Sequence, residues 1–336
     1  MVLYVTEQGS TISTKDNQVI INRSNGNKDK IPISKIEKVN ILGNTSITTP
    51  TLGYFLDKNI EVVFMNINGK YKGKLSSGDT KNIVLRLEQY KNSLNMNFKL
   101  KISKDFVKSK LINYIELLNR RNIGELKGKL TEDIKIITNS LENLKLKDDL
   151  NQVRGIEGYA TKVYFNCMKK LIKKEDFIFT KRVFYPPTDR INSILSFGYS
   201  LLYNEVFIAM NNVGLDPYFG NLHNVTASKK TLLFDMVEEF RSIIDEFIIT
   251  LINRNEIIKD DLYQNKNTFY FTKEGMKKFI RKFEFFLLSK HKYYRDNEEN
   301  NLRTIFLKQS RHYAKVVVGE YDNYIGYRKY NKIKIT

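Results

Sequence analysis

The feature of this sequence that most limits its fold is a change in the spacing of apolar residues after residue 77. Before this point, short apolar or β-branched runs alternate with clusters of Gly, Asn, Asp and Ser, a pattern typical of strands joined by turns. After it, apolar residues recur with the 3.6-residue period of amphipathic helices. The sequence therefore predicts an α+β protein: a small N-terminal β-strand domain with one helix over residues 1–77, a linker over 78–82, and a larger all-α domain over 83–336.

The individual elements follow from the same patterns. One helix interrupts the strands, with Thr49 as its N-cap and Pro50 at the first helical position. The predicted strands are Leu3–Val5, Val19–Asn22, Ile31–Ile33, Val39–Leu42 and Glu61–Met65. The predicted helices of the second part lie near residues 82–95, 102–120, 123–145, 149–173, 191–212, 228–252, 273–289 and 298–318.

The charge of the chain indicates a polyanionic partner. The 336 residues include 56 Lys and Arg against 37 Asp and Glu, a formal net charge of +19. An excess of this size most often serves nucleic acid, and an anionic membrane is the competing explanation. No apolar run approaches the roughly 20 residues that a membrane-spanning helix needs, and the first residues lack the basic and then apolar pattern of a signal peptide. We therefore expect a cytoplasmic protein with no membrane partner.

Several kinds of chemistry are excluded by what the sequence lacks. A single cysteine, Cys167, excludes an internal disulfide framework and a cysteine-rich zinc module, and its apolar neighbours predict a buried, inert thiol. The sequence has no GxxxxGK[ST] nucleotide-binding loop, no GxGxxG after a strand and no GxSxG nucleophile turn. Of the three histidines, only His223 has neighbours that suggest a role, because His291 and His312 lie in basic segments and are expected to be exposed.

One stretch, Gly214–Arg241, combines a loop with chemically useful side chains. Gly214, Pro217 and Gly220 follow each other at intervals of three residues and prevent a continuous helix there. The loop then reaches His223, and a polar run with two lysines precedes the next predicted helix. This stretch is therefore the first place to look for a functional site.

The helix that follows carries two carboxylates away from its apolar side. At about 100° per residue, Glu238 lies roughly opposite the centre of the apolar face, and Asp235 lies about 60° from Glu238. The stretch is therefore expected to present an imidazole and two carboxylates away from the core. A hard divalent cation next to a phosphate uses groups of this kind. The alternative is an ordinary solvated helix face beside a histidine that binds nothing.

A third carboxylate, Glu157, is conspicuous because Gly155 and Gly158 flank it within a predicted helix. Each glycine costs about 1 kcal/mol relative to alanine in a helix interior. Close helix packing would compensate for this cost, and so would room for a ligand beside the carboxylate; the sequence leaves both explanations open. Gly198, in the helix near 191–212, suggests close packing.

Three blocks of the sequence, taken in order and at their spacing, resemble one known family. The blocks are Gly155–Gly158, the segment from Pro186 to Tyr203, and the segment from Gly214 through His223 to Arg241, with further matches at Leu3–Ser10, Ile47–Pro50 and Ile60–Phe64. On these residues the chain resembles the Cas1 family of CRISPR-associated integrases, the larger of the two proteins that insert new spacers into CRISPR arrays. The resemblance covers nearly the whole chain.

The resemblance implies an architecture and a set of partners. A small β domain would be joined to a helical domain that is catalytic and binds DNA. Homodimers would form largely through the β domain, and two dimers would flank a dimer of the smaller adaptation protein in a hetero-hexamer. The nucleic acid would be double-stranded DNA, both the incoming protospacer and the CRISPR repeat.

The resemblance also assigns chemical roles to individual side chains. It implies metal ligands at Glu157, His223 and Glu238, and a further catalytic carboxylate at Asp235. The expected cation is Mg²⁺, with Mn²⁺ tolerated because one ligand is an imidazole.

Contacts with DNA are expected on the helical part. The candidate side chains are Lys229, Lys230, Arg241, Arg190 and Asn192. Lys229 falls where the family usually has a basic residue, and Arg241 closes its motif. Lys230 and Arg190 stand where proline is common, so these two departures affect loop geometry and DNA contacts rather than the metal ligands.

The function implied by the resemblance is strand transfer on DNA. A metal-dependent endonuclease and strand transferase would join a 3′-hydroxyl of the incoming DNA to the repeat phosphodiester, and water in place of the hydroxyl would make the same site a nuclease. Two alternatives stay open. One is a metal-dependent nuclease acting on branched DNA or RNA outside CRISPR adaptation, and the other is a non-catalytic basic scaffold for nucleic acid whose acidic residues are structural.

Overall fold

The N-terminal part of the protein consists of short strands and one helix. A computed structural model describes residues 1–77, 82–226, 228–296 and 298–329. The first elements are β1 (Val2–Val5), β2 (Ser10–Lys15), β3 (Gln18–Asn22), β4 (Lys28–Pro32), β5 (Lys38–Leu42), β6 (Thr45–Ile47), α1 (Thr49–Asp57), β7 (Glu61–Met65) and β8 (Tyr71–Leu75). The predicted linker at 78–82 falls almost entirely outside the described residues.

The eight strands form two four-stranded sheets. One sheet has the order β1-β5-β7-β8, in which the first three strands are parallel and β8 is antiparallel to β7. The other has the order β4-β3-β2-β6, with antiparallel pairs except for the parallel pair β2–β6. Val39, the second residue of β5, pairs with Leu3 on one side and Val62 on the other, and all three are buried. These apolar strands close a core of their own with β3 and α1.

The five predicted strands are present, but three others escaped prediction. β2 (Ser10–Lys15) is rich in Ser and Thr, β6 is only three residues long, and β8 carries two lysines and a glycine among its five residues. Such sequences lack the continuous apolar run that marks a buried strand. Helix α1 forms where expected, but its N-cap is Thr48 and not Thr49.

The second part of the chain is mostly helical. Its helices are α2 (Ile83–Leu94), α3 (Met96–Arg121), α4 (Thr131–Lys145), α5 (Leu150–Leu171), α6 (Arg190–Val213), α7 (Thr231–Glu238), α8 (Arg241–Asn253), α9 (Lys273–Leu288) and α10 (Leu302–Val317). Four short strands accompany them: β9 (Leu262–Asn265), β10 (Thr268–Phe271), β11 (His291–Lys292) and β12 (Glu299–Asn300). None of the helices in the described ranges is long and apolar enough to cross a membrane.

The prediction of an all-α second part is wrong, because this part also contains four short strands. β9 and β10 form an antiparallel hairpin in which Tyr263 pairs with Tyr270, and Lys266 in the turn has a positive φ of 53°. Strand-favouring aromatic residues on either side of a short polar turn are typical of a hairpin. The helix predicted at 228–252 is also divided, because α7 ends at Glu238 and α8 begins at Arg241. The helix predicted at 123–145 begins only at Thr131.

Helix α6 forms the centre of the helical part. Gly198 lets α8 approach closely, because a Cβ at this position would lie 3.1 Å from both Ile244 and Ile248. The close packing predicted for this glycine is therefore confirmed. Cys167 on α5 is buried and free, as predicted, and burial raises the pKa of its thiol to about 12, which favours the inert thiol expected from the sequence.

A buried ion network, here called the junction cluster, connects the two parts of the chain. It consists of Lys38 on β5, Glu205 on α6, Glu284 on α9 and Arg303 on α10. Arg303 donates from Nε to Glu205 Oε2 at 2.8 Å and from Nη2 to Oε1 at 3.1 Å. The same guanidinium reaches both oxygen atoms of Glu284, at 3.0 and 2.6 Å, and Tyr4 on β1 donates to Glu284 at 2.7 Å.

The C-terminal segment, residues 321–329, packs against the joint between α7 and α8. Glu239 in this joint is fully buried, accepts a bond from the Tyr324 hydroxyl at 2.9 Å and another from the Tyr327 backbone N–H at 2.7 Å. Burial raises the pKa of Glu239 to about 8. His312 on α10 is buried and accepts from the Ile325 N–H at 3.0 Å, so the expectation that it is exposed is wrong.

Candidate active site

The loop between α6 and α7 is folded around one buried carboxylate, that of Asp235. Its Oδ2 accepts from the backbone N–H groups of Asn221 at 2.5 Å and Leu222 at 2.9 Å. Its Oδ1 accepts from the His223 N–H at 3.0 Å and lies 2.6 Å from the imidazole Nδ1. One side chain on α7 therefore fixes both the loop backbone and the ring of His223, and Nε2 is left as the ring nitrogen available to a ligand.

Glycine at position 220 makes this arrangement possible. A Cβ there would lie 2.6 Å from the carbonyl carbon of Thr231 and 2.7 Å from Oδ2 of Asp235. The loop could not approach α7 as closely with any other residue. The helix-breaking glycines that first marked this stretch thus serve a defined purpose here: α6 ends in the left-handed Gly214, with φ of 94°, and Gly220 allows the contact with α7.

Helix α5 is attached to the same loop and carries the next carboxylate. Arg154 donates from Nε to the Leu222 carbonyl at 2.6 Å and from Nη2 to Asn224 Oδ1 at 2.6 Å. Glu157 follows one helical turn later, on the face that meets the loop. Its Oε1 accepts from the Thr161 hydroxyl at 2.9 Å, and its side chain is 23% exposed.

Lys110 on α3 joins the two glutamates. Its side chain is only 1% exposed, and its ammonium donates to Glu157 Oε1 and, at 2.5 Å, to Glu238 Oε2. Arg241 pairs with the other oxygen of Glu238, Oε1, at 3.1 Å and donates to the Tyr203 hydroxyl at 2.5 Å. We call Lys110, Glu157, Glu238 and Arg241 the site cluster.

The charges of the site cluster stabilise each other. Burial disfavours the charge of the Lys110 ammonium, but Glu238, with Tyr114 and Glu157, outweighs this and raises the pKa of Lys110. Burial also opposes ionisation of Glu238, yet Arg241 and Lys110 lower its pKa below the ordinary range. Two cations thus keep Glu238 ionised in the protein interior.

The charges of Glu157 and Glu238 also affect the pKa of His223. Burial of the ring lowers its pKa, but the hydrogen bond and charge of Asp235, together with the charges of Glu238 and Glu157, raise the pKa overall. The influence of both glutamates on the imidazole places His223 within electrostatic reach of the site cluster. Residues from α3, α5, α7 and the loop before α7 therefore converge.

The orientation expected for the carboxylates on α7 is wrong. Asp235 is fully buried and Glu238 is 5% exposed, whereas the helical pattern predicted that both would face away from the core. Helix α7 is only eight residues long and packs against both α3 and α6, so its polar side is covered as well as its apolar side. Glu238 and Asp235 therefore meet protein cations and N–H groups and not bulk water.

The side chains predicted to contact DNA lie in different surroundings. Lys229 is exposed, whereas Lys230 is half-buried, with its Nζ 4.0 Å from the ring centre of Tyr71 and 3.7 Å from that of Phe207. Burial and the nearby charge of Lys74 lower the pKa of Lys230 to about 8.

The other three candidates for DNA contact are engaged with protein groups. Arg190 lies over the ring of Phe269 at 4.8 Å, and Arg241 belongs to the site cluster. Asn192 is fully buried and accepts from Arg182 at 2.8 Å and from the Val183 N–H at 2.9 Å. The prediction that these side chains contact DNA stays a prediction.

The donor set suits a divalent cation, although a lysine takes part in it. Two carboxylates from separate helices lie within hydrogen-bonding distance of one nitrogen atom, that of Lys110, and are thus close enough to share a cation. With a nearby imidazole, these are ligands for Mg²⁺ or Mn²⁺. The described residues are 1–77, 82–226, 228–296 and 298–329. Among these residues, no three or more His, Cys, Asp or Glu side chains are spaced to hold a metal ion. The metal ligands Glu157, His223 and Glu238 remain a prediction.

Sequence reasoning missed Lys110 and Arg154. Lys110 had a detectable signal, because it lies four residues after Phe106 and four before Tyr114, both fully buried, and so falls within the apolar stripe of α3. A lysine in such a stripe needs a buried partner. Arg154 had no comparable signal, since its contacts with the loop are long-range in sequence.

Comparison with known proteins gives one consistent family. Residues 3–285 match the family model described as CRISPR associated protein Cas1. A CRISPR-associated endonuclease Cas1 from Thermus thermophilus is 31% identical over 326 residues, which cover 96% of each chain.

Two solved structures share the fold at lower identity. A casposase bound to integration product is 22% identical with a TM-score of 0.83, and the alignment covers 100% of this chain and 96% of that one. A Cas6-RT-Cas1–Cas2 complex contains a longer chain, of which the alignment covers 36%, with 21% identity, a TM-score of 0.82 and 99% coverage of the present chain.

Proposed function

Because the chain belongs to the CRISPR-associated Cas1 family, we propose that it is a spacer-acquisition integrase, a metal-dependent DNA endonuclease and strand transferase that joins a protospacer 3′-hydroxyl to the phosphodiester of a CRISPR repeat. The observation that carries the proposal is the convergence of Glu157, Glu238 and the His223 loop from remote parts of the sequence. The relative from Thermus thermophilus is named an endonuclease.

Each residue of the site has a distinct part in this reaction. Glu157, Glu238 and Nε2 of His223 would hold Mg²⁺ or Mn²⁺, which supplies Lewis-acid stabilisation of the charge that develops on the phosphate oxygens. Asp235 holds the imidazole with Nδ1 towards itself, which sets the tautomer needed for a ligand at Nε2. Arg241 keeps Glu238 ionised and oriented through Oε1.

The surroundings of the site suit a DNA backbone. The chain carries a formal net charge of +19, and Lys229, on the loop that also holds His223, is exposed. Contacts of this kind bind phosphates independently of sequence and weaken as salt is added. The family's assembly, a homodimer combined with a smaller adaptation protein, is part of the proposal, and the smaller partner is supported by a fold neighbour that is a Cas6-RT-Cas1–Cas2 complex.

The proposal is tested with an integration assay. A repeat-containing supercoiled plasmid is incubated with a labelled duplex bearing 3′-hydroxyl ends, the chain and its smaller partner, in Mg²⁺, Mn²⁺ or EDTA. We expect label to join the plasmid in either metal and not in EDTA. His223→Ala should reduce joining by about 10²–10³-fold, as removal of one group that stabilises the transition state does.

A matched control and the alternative outcomes complete the test. His291→Ala changes a half-buried histidine in β11 and should leave joining unchanged. DNA affinity, measured by fluorescence anisotropy, should be similar for both variants. Normal joining by His223→Ala would refute the site. Metal-dependent nicking without joining would point to a nuclease outside adaptation, and binding that ignores EDTA with neither reaction would point to a scaffold.

A further inference from the structure

A buried lysine is an unusual neighbour for two carboxylates that are expected to bind a metal. Lys110 lies on α3 among the fully buried Phe106, Val107, Leu111 and Tyr114, and its side chain is 1% exposed. Its ammonium therefore cannot touch a substrate directly. An isolated buried ammonium is strongly unfavourable, and replacement of all members of a buried ion network by apolar side chains is often neutral or stabilising. Lys110 therefore calls for a reason beyond stability.

The position of the ammonium indicates that reason. Glu157 comes from α5 and Glu238 from α7, and like charges in one buried site repel each other unless a cation lies between them. Lys110 occupies this place, since it bonds to Oε1 of Glu157 and Oε2 of Glu238. Arg241 contacts Glu238 on its other oxygen and so does not bridge the two carboxylates.

We propose that Lys110 is an internal counter-ion that holds Glu157 and Glu238 together in the metal-free protein and competes with the divalent cation for them. The proposal rests on the metal-dependent function proposed above. Lys110 and Arg241 together balance the two carboxylates, so an incoming cation meets a neutral cluster. The metal-free site is thereby kept assembled, at the expense of metal affinity.

The surroundings of Lys110 allow its ammonium to move away from the two carboxylates when a divalent cation binds. A lysine is a point charge on a flexible stem of four carbons, and it forms no planar two-pronged bond with a carboxylate. The ammonium already lies 5.6 Å from the ring centre of Tyr114, which offers it a cation–π contact. Tyr114 is itself held by stacking on Tyr164, with ring centres 3.6 Å apart.

The inference predicts opposite effects on metal affinity and on metal-free stability. Lys110→Met removes the charge and keeps an unbranched side chain. We expect Mn²⁺ to bind at least tenfold more tightly than to the wild type, measured by the electron paramagnetic resonance signal of free Mn²⁺. We also expect a lower urea midpoint in EDTA, and a larger rise of this midpoint on addition of Mn²⁺ than in the wild type.

Three further variants make the result interpretable. Lys110→Arg keeps the charge and should bind Mn²⁺ no more tightly than the wild type. Lys108→Met removes a charge from the same helix without touching either carboxylate and should leave both measurements unchanged. Lys110→Gln removes the charge but keeps N–H donors, and it should repeat the tighter binding even where Lys110→Met proves too unstable to purify.

The outcomes separate this inference from the function on which it rests. Mn²⁺ binding to the wild type with equal or weaker binding to both neutral variants would overturn the counter-ion role and leave the proposed function standing. Absence of Mn²⁺ binding in the wild type and in all variants would overturn both. The expected result is that Lys110→Met and Lys110→Gln bind Mn²⁺ more tightly than the wild type, whereas Lys110→Arg and Lys108→Met do not.

Discussion

The site cluster and the junction cluster contain the same charges but differ in the cation that joins them. Each has one lysine, one arginine and two glutamates, and each links helices that are distant in sequence. Exposure does not distinguish them, because Arg303 in the junction cluster and Glu157 in the site cluster are both 23% exposed. The shared cation is Arg303 in one and Lys110 in the other.

This difference explains why one network is structural and the other suits a ligand. The fork of Arg303 reaches all four oxygen atoms of its two glutamates, and Lys38 and Tyr4 make further contacts with Glu205 and Glu284, respectively. In the site cluster, both donors to Glu157, Lys110 and Thr161, use Oε1, and among the described residues Oε2 receives no hydrogen bond. Buried charge alone is therefore a poor indicator of a functional site. A carboxylate oxygen without a hydrogen bond, such as Oε2 of Glu157, close to an imidazole is a better indicator.

The largest effect should come from breaking the junction cluster. Arg303→Met removes the cation that is shared by the buried Glu205 and the partly exposed Glu284, and removal of one partner from a buried pair costs about 3–5 kcal/mol. We expect a loss of this size in the free energy of unfolding, measured by urea denaturation. Mn²⁺ should not restore it. Recovery on addition of Mn²⁺ would mean that the two clusters are alike after all.

The second prediction concerns Asp235, which holds the imidazole of His223 in the candidate active site. Asp235→Asn replaces an acceptor of four contacts with a side chain that has a single acceptor oxygen. Loss of such a supporting partner typically reduces metal affinity or activity about 10–100-fold. We expect that decrease in the joining rate, with loss of the Nδ1 hydrogen bond in the ¹⁵N spectrum of His223. An unchanged rate would show that the loop is held by other contacts.

The third prediction is a pH dependence of the junction cluster. Burial opposes ionisation of Glu205, but Lys38 and Arg303 outweigh it and lower its pKa. A lowered pKa contributes stability that is present above the ordinary carboxyl value of about 4.3 and is lost as the pH falls through the lower value in the folded state. Glu205→Gln should therefore be less stable than the wild type at pH 7, and the gap should narrow below about pH 4.

Urea midpoints between pH 7 and pH 3 test this prediction. Lys74 and Glu61 form an ion pair at 3.4 Å elsewhere in the N-terminal part, so Glu61→Gln serves as a control for a general acid effect. A gap between wild type and Glu205→Gln that stays constant with pH would contradict the assignment.

The smallest effect is expected at the glycines beside Glu157. A Cβ on Gly155 or Gly158 would meet nothing within 4 Å, so close packing does not explain them. Gly155→Ala should stabilise the free protein by about 0.5–1 kcal/mol through helix propensity. If DNA uses the space, the same variant should weaken DNA binding severalfold in fluorescence anisotropy. Unchanged binding would mean that the open space beside Glu157 is not part of the DNA path.

The sequence allowed the outline of the fold to be predicted because its patterns are local. β7 was predicted at its observed limits, Glu61–Met65, since a buried parallel strand is a continuous apolar run. The polar turn at Lys266 was not recognised as the turn of a hairpin, so β9 and β10 were not predicted. The break between α7 and α8 could not be seen, because apolar residues continue at helical spacing through Phe240 and conceal it.

The sequence singled out side chains that the structure brings near one another, but it did not predict their surroundings. Glu157, His223 and Asp235 were singled out by glycines, by loop position and by charge on a helix. The burial of Glu238 and the role of Lys110 depend on which helices lie beside α7, and this is decided by tertiary packing across 128 residues. A helical wheel shows which residues share a face, and it does not show what covers that face.

The placement of the C-terminal segment has a consequence for synthesis of the protein. Asn113, one turn beyond Lys110, donates to the carbonyl of Tyr327, 214 residues away, and also to that of Glu239. A ribosome must therefore synthesise residue 327 before the contacts of Asn113 beside the site cluster can be complete. We expect nascent chains that end before residue 327 to lack a completed site cluster, so that the activity proposed above would arise only after this segment has been added.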